Sequence, residues 1–328
     1  MKNRRKAWIA VIGCVLLPFA FAMSIRMGST LLSWTEFFKG LLRHEGYEKI
    51  AYVIWILRFP RALAAVLAGV GLSVCGLALQ NITGNELAGP NIIGVNAGAG
   101  FFVIAGMYFL GGSSFVLPLF AFLGAFLTSA TILLIGSSLQ KGKSTIILAG
   151  IAVTALLNAG ISLISRLDTD LISLYNDFAV GGFYGTSVDN LAVPFIMIAL
   201  STIVLMYFSR DIDVMMLGDE VSVSLGIHMR AVRLAVILSA GAAAGAVVSF
   251  AGLLGFVGLI VPHMAKKIFG IRTKTALLSS ALLGAIVVLF ADTIGRSIFP
   301  KTEIPVGIVM AFVGVPFFLY LIIRRRSE

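Results

Sequence analysis

The chain has 328 residues, of which 59% are hydrophobic and only 12% are charged, and its formal net charge is +10. Soluble domains are usually about half apolar and about one quarter charged, so this composition excludes an ordinary soluble protein. A bilayer core of roughly 30 Å needs about 20 apolar residues for each spanning helix, and the chain offers such stretches repeatedly. The sequence therefore predicts an all-α integral membrane protein.

Ten apolar segments can cross the bilayer as helices. Two uncharged runs are too long for one crossing and must fold back: 87–140, at the Gly-Gly-Ser-Ser sequence that starts at Gly111, and 234–265, near its glycines. We expect transmembrane helices at about 7–25, 51–80, 92–110, 115–137, 144–165, 190–208, 232–250, 255–269, 275–295 and 304–323.

The basic residues predict the orientation. Ten crossings place both termini on one side, and 16 of the 25 Lys and Arg residues fall there. Because positively charged loops stay in the cytoplasm, we expect both termini to be cytoplasmic in a multi-pass protein of the cytoplasmic membrane. Basic loops facing an anionic inner leaflet explain the net charge, so it does not indicate nucleic-acid binding.

The chain lacks the residue patterns of catalysis and of metal binding. His44, His228 and His263 have no partner at metal-ligand spacing, and Cys14 and Cys75 belong to no spacing pattern. We therefore expect no catalytic residue, no metal site and no cofactor in this chain, and we interpret it as a non-enzyme.

Carboxylates are scarce within the crossings, although ion-coupled carriers usually keep one near the membrane midplane. Asp292 is the clearest candidate, near the outer end of its helix. Arg296 follows four residues later, a spacing suited to a salt bridge. A paired charge at the interface is the simpler interpretation and a proton relay the alternative. Energy for transport would then come from another subunit.

Three groups of motifs carry more specific information. The first contains RFPR at 58–61 and NELAGPNIIG at 85–94, the second LGDE at 217–220, and the third GFVGLIVPH at 255–263 and EIPVG at 303–307. In this order they resemble the FecCD-type permease subunits of ATP-binding-cassette importers for iron–siderophores, haem and cobalamin. Glu86 and Ile93 depart from the Pro and Leu that are usual in that family.

The resemblance implies a single transmembrane permease domain over 1–328, folded as the bundle of a cobalamin or siderophore importer. In this family two permeases pair around a central path. Two ATPases bind below and hydrolyse ATP, and an extracytoplasmic binding protein delivers the ligand from above. The partner permease would be a second copy or a close relative, and ATP would be bound by the ATPase partner.

The longest inner loop, 209–233, resembles the family's coupling element, which fits a groove on the ATPase. We expect two short helical pieces, about 213–224 and 227–233, that meet at Gly226, because glycine adopts backbone angles that other residues resist. An ordinary solvated loop is the alternative, although 25 residues are long for a connector. The expected coupling residues are Leu217, Gly218, Asp219, Glu220, Leu225, Gly226 and Arg230.

On the outer side, the family's motif places Arg58, Arg61 and Arg296 where carboxylates of the binding protein dock. A guanidinium group can hold a carboxylate through two parallel hydrogen bonds, which fixes orientation as well as affinity. Interfacial arginines also snorkel to the headgroup level without any partner protein, and this is the alternative.

The resemblance places the translocation path along the helix 144–165 and an extracytoplasmic gate region at 166–190. Ser144, Thr154 and Asn158 are the polar candidates for its lining, and the last two share a helical face. Hydrogen bonding to neighbouring helices is an equally good explanation for these polar groups.

The resemblance implies a permease that imports an iron–siderophore complex by alternating access. Haem, cobalamin or a metal ion is the alternative cargo. A proton-coupled secondary carrier that uses Asp292 is a second alternative, and a membrane subunit with no path is a third.

Overall fold

The computed structural model describes residues 2–28, 30–90, 94–111, 116–138, 142–299 and 302–325. Within these ranges the regular secondary structure is entirely helical. In chain order the helices are α1 Lys2–Arg26, α2 Trp34–Leu41, α3 Glu48–Tyr52, α4 Phe59–Thr83, α5 Val95–Leu110, α6 Val116–Ser138, α7 Gly142–Leu167, α8 Leu171–Val180, α9 Val188–Tyr207, α10 Ser209–Met215, α11 Asp219–Ser224, α12 Met229–Ala251, α13 Val257–Phe269, α14 Thr273–Ser297 and α15 Val306–Arg325. A wider π-helical segment, Val53–Arg58, joins α3 to α4.

All ten expected membrane helices are present, as α1, α4, α5, α6, α7, α9, α12, α13, α14 and α15. Among the described residues, five helical segments are long and apolar enough to cross a bilayer: Glu48–Thr83, Leu148–Leu167, Val188–Tyr207, Met229–Ala251 and Thr273–Ser297. Four shorter apolar helices accompany them. The prediction of an all-α membrane bundle is confirmed.

Helix α4 forms the centre of the bundle, where it packs against α12, α13 and α14. Its sequence is rich in Gly and Ala, which lets neighbouring backbones approach closely. A Cβ atom at Gly69 would collide with the carbonyl of Gly284 in α14, so only glycine fits this crossing. One turn further along α4, the Ser73 hydroxyl donates to the Ser280 carbonyl oxygen at 2.8 Å. α4 and α14 therefore pair tightly.

Helix α7 lies at the edge of the bundle. It packs against α5 and α6, but only 11% of its apolar span Leu148–Leu167 is buried. An apolar helix with this much free surface needs lipid or another protein to cover it.

The bundle has two distinct ends. The arginine end contains Arg58 at the start of α4, Arg296 in the last turn of α14 and the segment that precedes α15. The α10–α11 end contains those two short helices and the start of α14. Since α1 ends and α15 begins at the arginine end, both termini of the chain point toward the α10–α11 end.

Candidate functional site: the two ends of the helical bundle

The α10–α11 end has the two short helices expected of the loop 209–233, but with different boundaries. The first expected piece, 213–224, was wrong as one helix, because Gly218 at φ 118° separates α10 from α11. The second, 227–233, is largely the first turn of the long helix α12. Gly226 has φ 78° and lies in the turn that follows α11, so the chain changes direction where expected.

Helix α11 and its flanks present a mixed apolar and acidic surface. Leu217 is 68% exposed and Leu225 is 61% exposed, and the acidic pair Asp219 and Glu220 lies between them, also exposed. Large apolar side chains exposed beyond the membrane spans are typical of a protein–protein interface. The expected coupling residues lie on this surface or beside it: Leu217, Gly218, Asp219, Glu220, Leu225, Gly226 and Arg230.

The short helix α10 is fixed to the bundle through Asp213. Its carboxylate accepts a hydrogen bond from the backbone N–H of Thr273, the first residue of α14, at 2.8 Å. A negative charge at this position also interacts favourably with the positive end of the helix dipole. The Thr273 hydroxyl in turn accepts a hydrogen bond from the Asn81 side chain of α4 at 2.9 Å. The α10–α11 surface is thus connected to both central helices.

Gln80, near the end of α4, also bonds neighbouring helices at this end of the bundle. Its side-chain oxygen accepts from the Lys266 ammonium group of α13 at 3.1 Å, and its side-chain nitrogen donates to the Leu259 carbonyl at 3.3 Å. Together with Asn81, it joins α4 to α13 and α14.

At the arginine end, Arg58 is buried and holds the chain between α1 and α2. Its guanidinium group donates to the carbonyl oxygens of Ile25, Arg26 and Thr30 at 2.9, 2.7 and 2.6 Å. These carbonyls lie at or beyond the end of α1, where helical hydrogen bonds run out. Arg58 therefore caps α1 from the neighbouring helix.

Asp292 is fully buried between two arginines. Its carboxylate lies 3.0 Å from the Arg61 guanidinium group of α4 and 3.0 Å from that of Arg296, four residues along α14. The predicted salt bridge between Asp292 and Arg296 is confirmed. Arg61 also contacts Glu303, whose side chain is 36% exposed, and Arg296 donates to the backbone and side-chain oxygens of Ser24 in α1. This network, here called the arginine network, joins α1, α4, α14 and the segment before α15.

The contacts within the chain bear on which of the three expected docking arginines could contact a partner protein. They do not test whether docking takes place. Arg58 and Arg296 are buried and bonded within the chain, so neither is free to meet a partner protein in this conformation. Arg61 is partly exposed and is paired with Glu303 at the surface. Of the three expected docking residues, Arg61 is the least buried, with 11% of its side chain exposed.

Beside Arg61 and Glu303, the segment that was predicted as the gate region forms a backbone junction with two other segments. Gly182 N–H donates to the Ala251 carbonyl at 2.8 Å, and Gly307 N–H donates to the Gly181 carbonyl at 3.2 Å. A cleft of about 410 Å³ opens next to this junction. It is lined by Arg61, Asp177, Phe178, Gly181, Gly182, Phe183, Tyr184, Phe250, Ala251, Gly252, Glu303 and Pro305.

The exposed part of α7 carries a row of polar side chains. Asn158 is exposed and Thr154 half-buried, and the row continues four and eight residues later with the exposed Ser162 and Arg166. Positions four apart lie on one helical face, so the row runs along α7 toward the gate region. The sequence analysis missed Ser162 and Arg166, although the same spacing could have identified them. The side chain of Ser144 lies outside the described residues.

Elsewhere in the part of the chain that the structure describes, no group of three or more His, Cys, Asp or Glu residues could hold a metal ion. Cys14 is exposed and Cys75 is buried, and both are free thiols.

Comparisons with known proteins agree with the motifs. The model of the FecCD transport family matches residues 16–324. The chain is 33% identical to YfmE, a permease protein of an Fe(3+)-citrate import system of Bacillus subtilis (strain 168), over 98% of this chain and 96% of the relative. It is also 33% identical to FhuB, an iron(3+)-hydroxamate import system permease protein of the same organism, over 97% of this chain and 83% of the relative. A solved chain described as an inward-facing ABC transporter of metal-chelate type matches with a TM-score of 0.87 and 28% identity, over 97% of this chain and 99% of that one.

Proposed function

The chain belongs to the FecCD transport family, and we propose on that premise that it is the permease subunit of an ATP-binding-cassette importer that carries iron–siderophore complexes across the cytoplasmic membrane. Relatives over nearly its whole length are permeases of iron-citrate and iron-hydroxamate import systems. The motif resemblance is thereby confirmed. The arginine end faces outward in this proposal, and the α10–α11 end faces the cytoplasm, as the basic loops predict.

The observation that carries the mechanism is the exposed, apolar and acidic α10–α11 surface. We propose that a separate ATPase subunit binds there. Movement of that subunit would reach α14 through the hydrogen bond from the Thr273 N–H to Asp213, and α4 through Asn81. Because α4 and α14 continue to the arginine network, both ends of the bundle are joined by the same two helices.

The cargo path would lie between two permease chains. Helix α7 has the largely free surface that such a path requires, and its polar row gives a hydrophilic chelate a weakly binding wall. The partner chain is a second copy or a close relative. Alternating access follows if ATP binds more tightly to one of two bundle arrangements than to the other.

The binding protein would dock at the arginine end, over the cleft that Arg61, Glu303 and Tyr184 line. Arg61 supplies a cation at the surface, while Arg58 and Arg296 hold the helices beneath it. Docking would thus depend directly on Arg61 and indirectly on the two buried arginines.

Reconstitution tests the proposal. The chain, its ATPase and its binding protein are placed in proteoliposomes, and uptake of ferric siderophore is compared with that of haem, cobalamin and free metal ions. We expect ATP-dependent uptake of the ferric siderophore. Transport of haem or cobalamin instead would support the alternative cargo within the same class of transporter.

The same vesicles distinguish a proton-coupled carrier. The Asp292 carboxylate is held between two guanidinium groups, which favours a structural ion pair over a proton relay. Uptake should therefore stop without ATP and persist when a protonophore removes the proton gradient. The opposite result would favour the carrier.

A further inference from the structure

The segment between α1 and α4 exposes an aromatic and apolar face that the transport mechanism does not use. On and just after α2, Trp34 is 51% exposed, Phe38 is 54% exposed and Leu42 is 77% exposed. These three residues recur every four positions and so share one side of the helix. We call them the α2 face. Thr35 and Lys39 lie on the polar side.

Helix α2 is held rigidly, so this exposure does not come from a loose loop. Ser33 and Glu36 form a capping box at its start, with the Ser33 N–H donating to the Glu36 carboxylate at 2.8 Å. The adjacent side of α2 is buried, with Phe37 at 5% exposure. At the far end, the Trp55 indole N–H donates to the Leu41 carbonyl at 3.3 Å. The α2 face is therefore fixed relative to α4.

Helix α2 lies at the end of two predicted membrane helices, α1 and α4. It connects α1 to α4 at the arginine end, where Arg58 bonds the end of α1 to the start of α4. Both adjoining spans also expose large apolar side chains within about two turns of that end: Phe19 on α1, and Ile56 and Leu57 before α4. These exposed side chains and the α2 face lie at the same end of the bundle, where a bilayer could cover both.

Cations stand over the aromatic rings of this segment. The Arg26 guanidinium carbon lies 4.0 Å from the ring centre of Trp34, and the Lys39 ammonium nitrogen lies 4.8 Å from that of Tyr47. Amphipathic aromatic rings with flanking Lys and Arg are typical of the headgroup level of a bilayer, where one side of the ring is apolar and the other is wet.

We propose that α2 is an interfacial anchor whose exposed face lies in the outer leaflet of the membrane, at the boundary between headgroups and acyl chains. The occupant of the α2 face is lipid, and neither the binding protein nor a second permease covers it. The proposal rests on the outward orientation of the arginine end. Because Arg58 ties this segment to α1 and α4, the anchor would fix the depth of the outer gate in the membrane.

Tryptophan fluorescence tests the proposal. The chain has three tryptophans, and Trp55 is kept because its indole holds α2. The emission of Trp34 is the difference between the Trp8→Phe variant and the variant with both Trp8→Phe and Trp34→Phe. The full chain is reconstituted in vesicles of phosphatidylcholine and phosphatidylglycerol with bromine at defined acyl positions. We expect shallow bromines to reduce Trp34 emission about twofold or more, with deep bromines and aqueous acrylamide having less effect. The variant with both Trp8→Phe and Trp34→Phe retains Trp55 alone and gives the matched control for this half-buried ring.

Strong quenching by acrylamide together with no effect of brominated lipid would overturn the proposal, as would lipid quenching that disappears when the binding protein or a second permease is added. The measurement needs no cargo and no ATP. A chain that transports nothing can therefore still show the expected quenching of Trp34. Conversely, absence of that quenching would leave the proposed import function unaffected.

Discussion

At the scale of single residues, Asp292 is a charge on α14 that links two arginines within the described part of the chain. It is fully buried and compensates Arg61 and Arg296 together. The sequence predicted the second contact, because i and i+4 positions face each other on a helix. It could not predict the first, because Arg61 lies 231 residues away and only the packing of α4 on α14 brings it close.

Asp292→Asn should destabilise the protein strongly. The variant leaves the buried Arg296 guanidinium group without a compensating charge and leaves Arg61 with Glu303 alone, a loss of about 3–5 kcal/mol in the free energy of unfolding. Thermal unfolding of the purified chain in detergent measures it. Glu303→Gln is the matched control, because Glu303 also pairs with Arg61 but is 36% exposed, and a partly solvated pair contributes about 1 kcal/mol or less. Equal unfolding midpoints for the two variants would contradict the central role of Asp292.

Arg61→Gln should weaken binding-protein docking roughly tenfold, because it removes the one arginine of the network that a partner carboxylate can reach. Asp292 keeps Arg296 as its partner in this variant, so the fold should persist. Titration of the reconstituted permease with its binding protein measures the affinity. Lys39→Gln, at an exposed cation of the same end, is the control. An unchanged affinity for Arg61→Gln would remove Arg61 from the docking surface.

At the scale of elements, the ten expected membrane helices were predictable because apolar runs with few charges specify them in a membrane. The short elements were harder. The break at Gly218 was missed because glycine also occurs inside helices, and α2 was missed because eight residues are too few for a membrane signal. The anchoring of α10 through Asp213 was also hidden, because its partner Thr273 lies 60 residues away.

Asp213→Ala should uncouple ATP hydrolysis from transport. It removes the cap on α14, a loss of about 1 kcal/mol in typical helices, together with the contact between α10 and the central pair. We expect ATP hydrolysis to continue while uptake per ATP falls several-fold. Asp211→Ala, on the same short helix, is the control. An unchanged ratio of uptake to hydrolysis would show that Asp213 transmits no movement.

The polar row on α7 should matter for flux and not for folding. Replacing Asn158 and Ser162 by Leu turns an aqueous wall apolar at two exposed positions, where packing within the chain is not disturbed. We expect uptake to fall while assembly with the ATPase persists. Leu163→Ile on the exposed part of the same helix is the control. Normal uptake in the double variant would move the path away from α7.

At the scale of the whole molecule, the fold is a single bundle in which two central helices connect opposite ends. The charge distribution predicted which end is cytoplasmic, and the motifs predicted the family that the comparisons confirm. The sequence could not indicate that two of the three expected docking arginines are buried. The burial of these arginines depends on how α1, α4 and α14 pack together at the arginine end. Local sequence patterns do not predict such packing between distant helices.

We propose that the α10–α11 surface receives from the ATPase subunit the force that opens the bundle. Its most direct test replaces the exposed Leu217, Asp219, Glu220 and Leu225 by Ser and measures ATP-dependent uptake of ferric siderophore in proteoliposomes with the ATPase and the binding protein. These side chains are exposed, so the bundle should still fold. We expect that the ATPase no longer binds and that uptake is lost. Full-rate uptake by this variant would contradict the proposed coupling role of the α10–α11 surface.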